Sequence, residues 1–175
     1  MLAPALTNQG GARMSREFDA RLTRYGRSLA DFEVGDIYRH WPGKTITEAD
    51  NHLFSMLTMA GSPIHIDANF AKNEMASGKN LVVGTLVYSL LTGMSVVDIS
   101  GATIASLEVK ELKHIAPVFP GDTLYAATEI LAKRISQSKP DRGILTVKTS
   151  GYNQDGVLVC AFERSVMLPT SGAIK

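Results

Sequence analysis

The feature that most constrains the fold is an apolar segment over residues 84–98 that is followed only by strand-like segments. At about 1.5 Å per residue, this segment predicts a helix of roughly 22 Å. Because it is apolar almost all round, we expect the helix to be buried. The strand-like segments are 103–115, 122–135, 143–152 and 156–168. This order predicts an α+β architecture in which a curved antiparallel sheet of about five strands wraps the long helix.

A first strand and a helical insert precede the long helix. Residues 31–41 predict a turn followed by a strand. Thr47 is a suitable N-cap for a helix that ends near Gly61. Its expected buried face consists of Leu53, Phe54, Met56, Leu57 and Met59. A short helix follows from Asp67, its candidate N-cap, to about Met75.

Length and composition predict one globular domain. The chain has 175 residues, of which 45% are hydrophobic and 20% charged. We expect a tail over residues 1–14, a single domain over 15–170 that opens with a short helix, and a C-terminal tail over 171–175. Residues 1–13 lack the features of a signal peptide, and no run reaches the roughly 18 apolar residues of a membrane span. A cytoplasmic location without membrane contact is therefore expected.

Charge, cysteine and histidine patterns exclude several function classes. The net charge is +1 and the basic residues are dispersed, which argues against nucleic-acid binding. Cys160 is the single cysteine, so no internal disulfide forms, and its apolar setting predicts a small core side chain. His40 and His114 lie at strand ends without ligands at metal spacing, and His52 is expected to be solvated. We expect no metal site.

Four segments together resemble one known family. The most informative is Pro63-Ile64-His65-Ile66-Asp67, with Ala71 after it. Residues 32–36, 83–86 and 116–124 match further family segments in the right order. On these residues the chain resembles the MaoC-like hydratases, which include the (R)-specific enoyl-CoA hydratases, and it is most similar to mesaconyl- or methylmalyl-CoA-type members. The resemblance implies a hot dog fold.

The resemblance also implies a chemistry. Hydration of an enoyl thioester needs proton transfer and donors at the thioester oxygen. His65 is the expected general acid/base, because histidine titrates near neutral pH. Gly84, Thr85 and Pro63 are the expected substrate-binding residues, with the free N–H groups at the start of the long helix as the oxyanion site. Gly84 has a second interpretation, which is tight helix packing. Coenzyme A, as part of an acyl-CoA substrate, is the only cofactor implied.

One position departs from the family. The catalytic carboxylate or amide of these enzymes lies five positions before the histidine, and here that position is Ala60. Three explanations stay open: His65 acts alone with water, Ser62 or Asp67 replaces the missing group, or hydratase activity is lost. The last would leave an acyl-CoA-binding subunit. A hot dog thioesterase is a further alternative, although the start of the long helix lacks the acidic residue that many such enzymes use.

The last strand predicts self-association. Residues 157–168 are apolar on both faces, which indicates cover on both sides of the sheet. We therefore expect a homodimer or a higher homo-oligomer.

Overall fold

The computed structural model describes residues 26–171. The expectations for the 1–14 tail, for the part of the 15–30 helix before residue 26 and for residues 172–175 lie outside the described residues. Residues 26–28 are not helical, and a 3-10 turn (Leu29–Asp31) follows them. Within residues 26–171, no helix combines the length and apolar character needed to cross a membrane.

The described chain forms one antiparallel sheet with helices on one side. The strands are β1 (Ile37–Arg39), β2 (Lys44–Thr45), β3 (Ala105–His114), β4 (Thr123–Ile135), β5 (Arg142–Tyr152) and β6 (Leu158–Pro169). The sheet order is β1-β4-β5-β6-β3, and the short β2 pairs with β4. The helices are α1 (Glu48–Thr58), α2 (Pro63–Ile66), α3 (Ala68–Glu74) and α4 (Gly84–Met94), and they all lie between β2 and β3. The predicted α+β architecture and its helical insert are confirmed.

Helix α4 packs against the sheet over an aliphatic core. Leu86, Val87 and Leu91 are buried, and the core they share includes residues of β4 and β6. A Cβ on Gly151 of β5 would lie only 2.3 Å from Leu91 Cδ1. The missing side chain at this position therefore lets α4 approach the sheet closely.

Two details of the helix prediction are wrong. Helix α4 ends at Met94 rather than near residue 98, and a π turn (Val96–Ser100) follows. The helix is also not buried all round, because Thr85, Ser89 and Gly93 are exposed at a spacing of one helical turn. The segment is apolar on average, but these three small or polar residues form one exposed face of the helix.

The predicted buried face of α1 is also wrong. Met59 is 90% exposed, Leu57 75%, Leu53 61% and Met56 46%, and Phe54 is half-buried. The buried residues of the helix are instead the polar pair Asn51 and Ser55. These two are separated by one turn, so they form a polar stripe that faces the protein.

Both predicted helix caps are confirmed. Thr47 Oγ1 accepts a hydrogen bond from the Asp50 N–H at 3.1 Å, and Asp50 completes a capping box. A hydrogen bond from Lys44, together with the Thr47 cap, holds the pKa of Asp50 at about 2. Asp67 Oδ1 accepts from the Phe70 N–H at 2.9 Å at the start of α3.

Strand β6 is apolar on both faces except at residues 163–165. Residues 159–162 are all buried. Beyond them the outer face carries Glu163 and Ser165, which are half-buried, and Arg164 lies on the buried face. The pattern on which self-association was expected thus covers part of the strand.

Candidate functional site

His65 is held in a defined orientation by the main chain. It lies in the single-turn helix α2, which begins with Pro63, and its ring is half-buried. Nδ1 lies 2.8 Å from the Leu81 carbonyl oxygen. A carbonyl only accepts hydrogen bonds, so Nδ1 carries the proton. In the neutral ring, Nε2 is then the basic nitrogen, and it forms no hydrogen bond within the described part of the chain.

His65 borders a polar cavity of about 370 Å³, named here the His65 cavity. The side chains that matter for its chemistry are Glu48, Asn51, His52, His65 and Asn80. Glu48 is the carboxylate on its wall and His52 a second imidazole. A cavity of this size accommodates a small ligand, and its wall combines an acid with two imidazoles.

Gly84 borders a different cavity, of about 360 Å³, named here the Gly84 cavity. Its wall is mostly aliphatic, with Val82, Val87, Val118 and Val159, and it includes His114 at the end of β3. The His114 ring lies directly over Gly84, because a Cβ there would come within 2.7 Å of His114 Nε2. Tight packing at Gly84 is therefore observed. It involves a side chain from the edge strand.

The start of α4 offers unpaired donors. Its N-cap residue is Val83, which provides no side-chain cap. The N–H groups of Gly84 and Thr85 form no hydrogen bond among the described residues, as the first turn of a helix leaves them without partners. With the positive end of the helix dipole behind them, they suit a developing negative charge.

The structure separates the other predicted site residues from both cavities. Ser62 and Pro63 are exposed at the start of α2, and Asp67 caps α3. None of these three, nor Thr85, lines the His65 or the Gly84 cavity. His65 and Gly84 also border separate cavities. Leu81 contacts both sites, because its carbonyl accepts from the His65 ring and the residue lines the Gly84 cavity.

Ala60 lies next to the apolar core. It is half-buried and packs against the cluster that contains Leu86 and Val87, and its N–H donates to the Ser55 carbonyl at 2.9 Å. A residue at this position therefore lies just after α1, against the apolar core. The methyl side chain of Ala60 cannot transfer a proton in place of the family's carboxylate or amide.

Two residues at the site escaped sequence reasoning. Asn51 donates through Nδ2 to the carbonyl oxygens of His65 (3.1 Å) and Leu81 (3.2 Å). Its Oδ1 accepts from the Val83 N–H at 2.9 Å. Glu48, in the first turn of α1, lines the His65 cavity and is not among the predicted site residues. The sequence does contain a signal for Asn51, since it lies four positions before Ser55 and two polar residues at this spacing share a helical face. A search for apolar periodicity does not detect it.

His40 and Cys160 have structural roles. His40 is buried, with Nδ1 2.8 Å from Asp98 and Nε2 2.7 Å from Thr128 Oγ1. His52 is exposed, as expected. Cys160 is buried, and burial raises the pKa of its thiol to about 11, which confirms a core side chain. Residues 26–171 contain no group of three or more His, Cys, Asp or Glu arranged to hold a metal ion.

Comparisons with known proteins show what the chain is similar to. The family model described as MaoC like domain matches residues 31–153. Mesaconyl-CoA hydratase of Cereibacter sphaeroides is 30% identical over 148 residues, which cover 83% of this chain and 42% of that protein. Beta-methylmalyl-CoA dehydratase of Chloroflexus aurantiacus is 29% identical over 157 residues, covering 81% of this chain and 44% of that protein.

A solved structure shows the fold. The Mycobacterium tuberculosis protein RV0216, described as having a double hotdog fold, is 24% identical and superposes with a TM-score of 0.69. The match covers 86% of this chain and 46% of that one. The predicted hot dog fold is thereby confirmed. The chain spans less than half the length of the two curated relatives and about half of this structure.

Proposed function

The chain belongs to the MaoC-like domain family, and from that premise we propose that it is a hydratase or dehydratase acting on a 2-enoyl-CoA or 3-hydroxyacyl-CoA thioester. The relatives named for mesaconyl-CoA and beta-methylmalyl-CoA favour a short or methyl-branched acyl group. The observation that carries the proposal is the orientation of His65, whose Nδ1 is bound to the Leu81 carbonyl. Nε2 is thereby left as the basic nitrogen of the neutral ring.

His65 is proposed as the general acid/base. In the hydration direction, Nε2 takes a proton from water as the oxygen bonds to C3 and the double-bond electrons move towards the thioester. C2 then receives a proton either from Nε2 itself or from a second acid to which Nε2 passes its proton, so the ring ends neutral. A positioned acid/base of this kind contributes about 100- to 10,000-fold to a rate. The carbonyl partner at Nδ1 supports this role, because it fixes the tautomer in which Nε2 can accept.

The start of α4 is proposed as the oxyanion site. As C2 becomes carbanionic, negative charge develops on the thioester oxygen. The unpaired N–H groups of Gly84 and Thr85 and the positive end of the helix dipole favour that charge. The aliphatic wall of the Gly84 cavity suits an acyl group. Addition of water changes no oxidation state overall, so the proposed reaction requires no redox cofactor.

The second proton-transfer group is the open element of the proposal. Ala60 provides none. Glu48, on the wall of the His65 cavity, is the carboxylate that this cavity offers in place of Ser62 or Asp67. The alternative is a non-catalytic acyl-CoA-binding subunit, which Ala60 favours. The two alternatives differ in turnover while both retain acyl-CoA binding.

A second copy of the chain is the proposed partner. Strand β3 is an edge of the sheet, and Leu107, Val109 and Leu112 on it are each at least 40% exposed. An open edge with exposed apolar side chains favours pairing with another strand. The end of β3 carries His114, which lines the Gly84 cavity, so a partner at this edge would border that cavity.

The test is a hydration assay on the full chain. Short, medium and methyl-branched enoyl-CoA substrates would be screened by loss of the conjugated thioester absorbance. We expect the wild-type protein to turn over at least one of these substrates and the rate to fall at least about 100-fold in His65→Ala. In Glu48→Gln the rate should fall only if Glu48 transfers a proton. Asn73→Ala, at an exposed position on α3, is the control.

Each outcome has a defined meaning. Turnover that is unchanged in His65→Ala contradicts the proposed site. Absence of turnover across the panel, with acyl-CoA binding retained by calorimetry, supports the non-catalytic subunit.

A further inference from the structure

Asn51 connects the two halves of the proposed site. It is 2% exposed and lies on the inward face of α1, one turn before Ser55. We propose that Asn51 is a positioning residue that sets the His65 ring and the first amides of α4 relative to each other. This proposal rests on the proposed function, because it assigns a role in the same reaction.

The orientation of the Asn51 amide is determined by its partners. The Val83 N–H can only donate, so the atom that faces it at 2.9 Å must be Oδ1. The carbonyls of His65 and Leu81 can only accept, so both face Nδ2, at 3.1 and 3.2 Å. Each main-chain partner can therefore either only donate or only accept, so the positions of Oδ1 and Nδ2 are determined. A flipped amide would lose all of them.

The Leu81 carbonyl is shared between Asn51 and the catalytic ring. It accepts from His65 Nδ1 at 2.8 Å and from Asn51 Nδ2 at 3.2 Å. A carbonyl oxygen has two lone pairs, so both are used here. The Leu81 main chain is itself held by its N–H, which donates to the Ile64 carbonyl at 2.9 Å. Asn51 thereby holds the acceptor that fixes the tautomer of His65.

The same amide holds the start of α4. Val83 immediately precedes Gly84, and its N–H is the one that Asn51 Oδ1 accepts. One side chain therefore connects the peptide of His65, the acceptor of the His65 ring and the peptide before the proposed oxyanion donors. Misplacement of reacting groups by about 1 Å can cost on the order of 100-fold in rate. Loss of Asn51 would release this constraint on both sides.

Two variants separate positioning from simple core packing. Asn51→Leu removes both functions of the amide while keeping a similar volume. Asn51→Asp keeps an acceptor for the Val83 N–H but turns the carboxylate towards the two carbonyl oxygens, which repel it. Ser55→Ala is the matched control. Ser55 is equally buried on α1, and within residues 26–171 its Oγ donates only to the Asn51 carbonyl, at 2.8 Å.

Kinetics form the first readout. We expect both Asn51 variants to lower kcat about 10- to 100-fold with KM changed less than about threefold, and Ser55→Ala to keep kcat within about twofold. An equal loss of kcat in Ser55→Ala, or a loss confined to KM, would overturn the proposal.

Nitrogen NMR of the His65 ring forms the second readout, and it does not depend on activity. The neutral ring should carry its proton on Nδ1 in the wild-type protein and in Ser55→Ala, and should move towards the Nε2–H form in both Asn51 variants. An unchanged tautomer in the variants overturns the proposal even if activity falls.

Two further outcomes are distinguishable. If the wild-type protein turns over no substrate, the proposed function fails while the NMR readout still decides whether Asn51 sets the ring. If neither variant folds, the NMR chemical shifts of the Asn51 Nδ2 protons can be followed in the wild-type protein. They should change when the His65 ring is protonated, because both groups share the Leu81 carbonyl. Absence of that response overturns the proposal.

Discussion

Gly84→Ala tests whether substrate approaches the main chain at the start of α4. The added Cβ would lie 2.7 Å from His114 Nε2 and 2.8 Å from its Cε1. Ordinary contacts begin at 3.4 Å, so the ring must retreat by about 0.7 Å. His114 is exposed and sits at the end of an edge strand, which leaves its ring room to move. The displacement should therefore cost little free energy.

Stability should change little in this variant. Alanine is a better helix former than glycine by about 1 kcal/mol in a helix interior, and by less at the first turn. This gain offsets part of the cost of moving the ring. We expect the free energy of unfolding to stay within about 1 kcal/mol of the wild type, which corresponds to a Tm within about 4 °C.

Activity should respond much more strongly. Removal of one oxyanion donor typically costs 100- to 1,000-fold in kcat. Here the N–H is retained and only its approach is restricted, so we expect kcat/KM to fall about 10- to 100-fold, or about 1.4–2.7 kcal/mol. The assay is enoyl-CoA hydration, with Tm measured on the same preparation.

Gly93→Ala is the matched control for this prediction. Gly93 lies on the same helix, and a Cβ there would meet nothing within 4 Å. It should raise or maintain Tm and leave kcat/KM unchanged. Retention of full activity in Gly84→Ala would refute the reasoning, as would an equal loss in Gly93→Ala. If the displaced ring causes the loss, adding His114→Ala to Gly84→Ala should restore activity.

Two further predictions concern the missing acid and the partner. Ala60→Asp should raise hydration activity if the site lacks only this group. It should lower the free energy of unfolding by about 1–2 kcal/mol, because Ala60 packs against the apolar core. Steady-state kinetics and thermal unfolding check this, and a variant that folds without a gain in activity points to another proton route. Light scattering at low concentration should give the mass of a dimer, and a monomer mass would contradict the role proposed for the β3 edge.

The elements set by local chemistry could be predicted from the sequence. Thr47 and Asp67 act as helix caps because the side-chain oxygens and the following N–H groups are close in the chain. The pairings of β4 with β5 and of β5 with β6 likewise join strands that are neighbours in sequence. Interactions of this range leave a direct pattern in the residues. The pairings of β1 with β4 and of β3 with β6 join distant segments and leave no such local pattern.

The inward face of α1 could not be predicted in this way. Apolar periodicity identifies residues that share a face, but it does not state which face the protein covers. In α1 the protein covers the face of Asn51 and Ser55 and leaves Leu57 75% exposed. The partners of Asn51 are 14, 30 and 32 residues away in sequence, so no local spacing reveals them. The site therefore depends on contacts that only the fold brings together.

The buried amide bears on what Ala60 means for the protein. A polar side chain withdrawn from water costs free energy unless its hydrogen bonds are all made, and the net gain from making them is small. An apolar residue on the inward face of α1 would fill the same space without that requirement. Asn51 instead makes its hydrogen bonds to His65, Leu81 and Val83, the groups that define the proposed site. A chain that retained only acyl-CoA binding would need no fixed tautomer at His65. These contacts favour the proposed proton transfer at His65, and Ala60 alone is weak evidence against it.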